Sequence, residues 1–139
     1  MKHVLLMASI LLALVGMSGC ATLADAKAAK GSGSTRIYDN SFEVVWKATL
    51  EVVNASDLDL VSDNETRGQI LAQNAISAFS YGENVAIFIE EIQGKVRTRV
   101  EVVNKRAMST NVFAANWEKR ILSELDKRLQ PNKAPKSTQ

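Results

Sequence analysis

The 139-residue chain has one cysteine, one histidine and two prolines. A single cysteine, Cys20, cannot form an internal disulfide, so the fold is not stapled. Pro131 and Pro135 both lie near the C-terminus, leaving the interior without proline breaks. The formal net charge is only +2, with acids and bases interspersed. That balance gives no footprint for a nucleic-acid polyanion. No apolar run reaches the roughly 20 residues that a membrane-spanning helix needs. What is present is an ordinary globular balance, 46% hydrophobic and 23% charged, enough for one small domain with its own core.

Met1-Lys2-His3 is a short positive start, and Val4 to Met17 is an apolar run broken only by Ser9 and Gly16. Ser18 and Gly19 supply the small residues that a signal peptidase admits. Met17-Ser18-Gly19-Cys20 resembles the lipobox of bacterial lipoproteins, with Met where Leu is commonest. The resemblance implies a diacylglycerol thioether on the Cys20 thiol, cleavage before it, and acylation of the freed amine. The partner is then the membrane, held through a lipid anchor on Cys20. One acyl chain binds a bilayer marginally, whereas two or three make a stable anchor. The alternative from the residues alone is a secretory signal followed by a free cysteine. Gram-negative lipoproteins retained at the inner membrane commonly carry Asp after the cysteine. Ala21 stands there, which by the same resemblance implies export to the outer membrane; the periplasmic face is the expected side, though Ala21 does not decide between it and the cell exterior.

Residues 1–19 are thus expected to be a signal peptide and residues 20–35 a lipidated cysteine with a flexible tether. About fourteen residues reach at most roughly 50 Å extended and about 20 Å as a coil. Residues 36–130 form the single domain, and 131–139 are expected to be a disordered tail. Within the domain, "YDNSFEVVWKATLEVVNAS" reads as a helix capped at Asn40, with Glu43 completing a capping box. Phe42, Val45, Trp46, Thr49, Leu50 and Val53 form its apolar stripe. "NVFAANWEKRILSELDKRLQP" reads as a second helix that buries Ala114, Trp117, Ile121, Leu122, Leu125 and Leu129, with Glu124 and Arg128 paired on its wetter side.

Between the helices lie "DLDLVSD", "QILAQNAI", "VAIFIEEI" and "VRTRVEVV", four strand-like segments with polar turns between them; Arg36–Tyr38 suits a further short strand. A two-residue turn at Gln93-Gly94 would pair Glu90 with Arg97 and Ile87 with Val100. Val85, Ile87, Ile89, Val96, Thr98, Val100 and Val102 then share the core face. Phe88, Glu90, Arg97, Arg99 and Glu101 take the other. Two striped helices need one shared surface. The expectation is a two-layer α+β domain: an antiparallel meander of four to five strands with both helices on one face. Trp46 and Trp117 become core anchors. This order, with the Phe-x-x-x-Trp spacing of the first helix, resembles the helix-grip domains of small envelope lipoproteins of the BamC type. The likeness implies the shape alone, since fold does not transfer function.

The sole histidine, His3, leaves with the signal peptide, and the lipobox reading alkylates the sole cysteine. Serine–histidine and cysteine–histidine machinery and histidine-containing zinc sites then have no residues to build from. The sequence therefore points to a noncatalytic protein with no cofactor and no metal. Asp57, Asp59, Asp63 and Glu65 superficially resemble a calcium loop but lack its central Gly and distal Glu; they suit a solvated strand edge and turn. The candidate interaction surface is Phe88 with Arg97 and Arg99 on the outer sheet face, together with Phe79 and Tyr81 in the loop "SAFSYGEN". The alternative is that arginine stems simply cover Phe88 and the loop aromatics close the core. The leading reading is a membrane-anchored module that binds an envelope protein. The alternative is a periplasmic carrier of a small apolar ligand or lipid held between the second helix and the sheet.

Overall fold

The computed structural model describes residues 21–75, 82–92, 96–106 and 115–130. Its elements are α1 (Leu23–Ala28), β1 (Ser34–Tyr38), α2 (Phe42–Asn54), β2 (Asp59–Asn64), a 3-10 turn (Glu65–Arg67), β3 (Gln69–Asn74), β4 (Glu83–Glu91), β5 (Thr98–Arg106) and α3 (Trp117–Leu129). The strands form one antiparallel sheet in the order β1-β5-β4-β3-β2. β2 to β5 are the expected meander. β1 pairs with β5, so α2 carries the chain across one face from one edge of the sheet to the other.

On that face α2 and α3 pack side by side. Val45, Trp46, Val52 and Val53 from α2, and Trp117, Ile121, Leu122 and Leu125 from α3, meet Tyr38, Ile70, Val85, Ile87, Ile89, Val100 and Val102. The helical stripes and the alternating strands thus meet in one core. The expected α+β class and the shared helix face both hold. Both tryptophans are buried.

The β4–β5 register is displaced by two residues from the expected one. Glu90 lies opposite Arg99 and Ile87 opposite Val102. Ile92 N donates to Arg97 O at 2.9 Å, so four residues, not two, close the hairpin; Gln93 to Lys95 lie outside the described residues. An even displacement keeps each side chain on its own face, so the core survives the error. The ion pairs do not: Glu90 meets Arg99, while Arg97 reaches Asp39 at 2.8 Å. Val96, expected on the core face, is exposed.

The helix ends also differ. Ser41, not Asn40, caps α2, and no side chain bonds the first turn. Asn40 O accepts from Thr98 Oγ1 at 2.9 Å, so that residue's backbone is tied to β5. α3 starts at Trp117, where Asn116 Oδ1 accepts from Lys119 N at 3.0 Å; Ala114 lies outside the described residues. Arg128 pairs with Glu51 of α2 at 3.0 Å and Glu124 with Lys127, so the expected Glu124–Arg128 pair gives way to a tie between the helices.

The largest departure is the tether. Residues 21–33 are folded onto the sheet's second face. Thr22 accepts from Asp25 N at 3.3 Å, and Asp25 Oδ2 accepts from Thr22 N at 2.6 Å, a reciprocal capping box. The six-residue α1 then buries Ala26 against Ala86, Phe88 and Val103, with Ala29 and Leu71 beside them. A turn follows, and Gly33 passes directly over β5. A Cβ on Gly33 would stand 2.2 Å from Val102 O, a distance only glycine avoids. After the 3-10 turn, Gly68 sits at φ 57° and accepts from Ile89 N at 2.7 Å. There a Cβ would meet Ile89 O at 2.0 Å. At the far edge all six residues of β2 are exposed. A register shift between Leu60 and Ser62, together with Asp59 and Asp63, blunts that edge against pairing with other chains.

Candidate functional site

The outer sheet face is not the open aromatic platform expected from sequence. Phe88 is 5% exposed. α1 covers it, and the Lys30 ammonium stands 5.4 Å from its ring centroid. Lys30 and Arg99 both pair with Glu90. Hydrogen bonds from Lys30 first, then from Arg99, hold the Glu90 carboxyl below the usual glutamate range. Arg97 turns away to Asp39, so the structure brings Phe88 and Arg99 together and leaves Arg97 out. Phe79 and Tyr81 lie outside the described residues. The chain's own residues 21–33, rather than arginine stems, cover Phe88. Their mostly small residues, alanine and glycine foremost, carried no periodic signal of a packed element.

A concave surface lies on the opposite layer. The C-terminal end of α2 and one face of α3 border a groove of about 480 Å³ lined by Val52, Ala55, Trp117 and Ile121, with Lys119, Arg120 and Arg128 among its polar side chains. The Arg120 guanidinium lies 4.3 Å from the Trp117 ring centroid and reaches Asp57 at 3.5 Å. Val52, Trp117 and Ile121 close the base of the groove as core residues, and its accessible rim is mostly compensated charge. Sequence reasoning assigned Trp117 and Ile121 to the core alone. The available signal was that Trp117, Arg120, Ile121, Glu124 and Arg128 share one helical face, which makes it amphipathic rather than wholly buried.

Trp117 is fixed from below by an unusual partner. Glu83, 1% exposed, accepts on Oε2 from Trp117 Nε1 and from Asn74 Nδ2, both at 2.8 Å. Glu83 Oε1 has no hydrogen-bond partner among the described residues. Beside it Asn104 donates from Nδ2 to Ala115 O at 3.1 Å and from its backbone N to Glu118 Oε1 at 3.2 Å. These bonds lock the start of α3, and with it the groove's aromatic wall, onto β4 and β5. A buried carboxylate accepting two neutral donors holds the ring in one orientation.

Among the described residues no group of three His, Cys, Asp or Glu side chains could hold a metal ion. Asp57 is occupied by Arg120, while Asp59, Asp63 and Glu65 lie on the exposed β2 edge and its turn. Compared with known protein families and with curated proteins, the chain matches none.

Proposed function

We propose that this protein is a noncatalytic lipoprotein of the cell envelope, anchored through Cys20 to the outer membrane, whose domain serves as a protein-interaction or assembly module. One observation carries the reading: a lipobox-like Met17-Ser18-Gly19-Cys20 stands immediately before a small folded domain. The loss of His3 on processing and the alkylation of Cys20 support a role without nucleophilic or imidazole chemistry. With Phe88 covered, the α2–α3 groove takes the place of the outer sheet face as the docking surface. Its exposed Ala55 and Ser123, flanked by the charges of Arg120 and Arg128, suit a short segment of an envelope protein laid along the groove.

Two experiments test the reading. Cells fed labelled palmitate should label the wild type and not Cys20→Ala; an unlabelled wild type ends the anchoring proposal. A photo-crosslinker at Ser123, beside the groove, should capture a discrete envelope partner, and Ala55→Glu, at an exposed position on the opposite side of the groove, should abolish that capture. Capture that survives the substitution removes the groove from the proposal. A second reading, a carrier of a small apolar ligand or lipid, draws on the groove volume, which falls within the range of small-molecule sites. Native mass spectrometry of gently purified protein separates the two, because a carrier retains added mass and a docking module does not.

A further inference from the structure

We infer that the domain lies flush against the bilayer, with the end of the sheet around Asn84 and Lys105 next to the lipid headgroups, instead of floating on a tether; this rests on the proposed lipid anchor at Cys20. The argument is one of chain length. Ala21, the residue after Cys20, is already docked: its carbonyl accepts from Asn84 Nδ2 at 3.0 Å. From there the chain is tied at every step. The Thr22–Asp25 capping box starts α1, Ala26 is fully buried, and Lys30 pairs with Glu90. The amides of Gly31 and Gly33 both donate to Glu101 Oε1, at 2.6 and 3.0 Å, and Glu101 is 5% exposed.

Consecutive Cα atoms are about 3.8 Å apart. A lipid on Cys20 is therefore held within roughly one residue length of the folded surface. A free segment to Ser34 would instead allow an excursion of roughly 50 Å. Asn84 lies opposite Lys105, and Glu83 opposite Arg106, so Lys105 and Arg106 stand at the anchored end. Neither forms an ion pair among the described residues, and both suit anionic headgroups. The Ala75 end of β3 shares this position. The Glu65 turn lies at the opposite end, about six residues of strand or roughly 20 Å away.

The test uses the lipidated full chain in vesicles of phosphatidylethanolamine with a minority of phosphatidylglycerol. Lipidation leaves an introduced cysteine as the sole free thiol, so a donor dye is placed by Ala75→Cys or by Glu65→Cys, both exposed positions. Headgroup-labelled acceptor lipids should quench the donor at position 75 several-fold more strongly than the donor at 65. Equal quenching at the two positions overturns the inference while leaving the anchor standing. Protein that carries no acyl mass and stays off the vesicles removes the anchor and the inference together. Glu101→Ala, which unties Gly31 and Gly33, should narrow the difference, while tryptophan fluorescence checks that the core is kept. The wild-type comparison of the two sites stands whether or not that variant folds.

Discussion

Replacing Phe88 with alanine separates a covered sheet face from an open one. In the structure its ring is almost wholly buried between the sheet and α1, with Lys30 over one side. Truncating a buried phenylalanine costs about 3–5 kcal/mol, through lost transfer energy plus the cavity left behind. The cover here is one six-residue helix that can settle onto the gap, which places the cost near the lower bound, about 3 kcal/mol. The Lys30 contact accounts for roughly 0.5 kcal/mol of that. For a domain of this size the melting temperature should fall by about 12 °C. Urea unfolding followed by Trp46 and Trp117 fluorescence suits the measurement, because both rings lie in the opposite layer and report global unfolding. Were Phe88 on an open face, the change would stay within about 0.5 kcal/mol. A cost that small refutes the packing of residues 21–33 on the sheet. Ala26→Asp, which drives a charge into the same contact, should cost a similar amount, and combining the two should add much less than their sum.

Three other expectations follow from single contacts. Gly68→Ala forces a Cβ onto Ile89 O in a left-handed turn and should cost about 2 kcal/mol or more, whereas Gly31→Ala meets no atom within 4 Å and should cost only the strain of its positive φ; chemical denaturation ranks the two. Trp117→Phe keeps an aromatic ring but withdraws a donor from buried Glu83, at about 1–3 kcal/mol beyond the cost of the smaller ring, and Glu83→Gln in the same background should recover part of it. The Tyr38 phenol is raised, by burial first and then by the Asp126 carboxylate that accepts from it at 3.1 Å. The folded state therefore holds that proton more tightly than the unfolded chain, so the stability is intact below about pH 10 and drains as pH rises past it. In a Tyr81→Phe background, ultraviolet titration should show Tyr38 ionising only as the fold is lost; ionisation at the ordinary phenol pKa with the core intact contradicts its burial.

Much of the architecture is legible along the chain because its signals are periodic and local. Val85, Ile87 and Ile89 alternate, as do Val100 and Val102, and that period of two assigns their faces whatever the hairpin length. Trp117, Ile121, Leu122 and Leu125 recur at helical spacing, as do Val45, Trp46, Val52 and Val53, and two such stripes require a common sheet. Those patterns determine the α+β class and the composition of the main core. The charged partners were not legible, since Glu90, Arg97, Arg99 and Arg128 can each reach several neighbours. A two-residue slip, or the approach of Glu51 from another helix, decides among them.

Tertiary structure alone decided the fate of residues 21–33. Their alanines and glycines bury little apolar area by themselves, and a six-residue helix is too short to hold without support. What holds them is a surface assembled from distant strands: Ala86 and Phe88 of β4, Val103 of β5, and the Glu101 carboxylate under two glycine amides. The sequence by itself determined which faces of the helices and strands are apolar. Only the assembled sheet decided that its second face is covered by its own chain and that the open groove lies between the helices. Periodicity is written residue by residue, whereas a contact between segments far apart exists only once both have been placed.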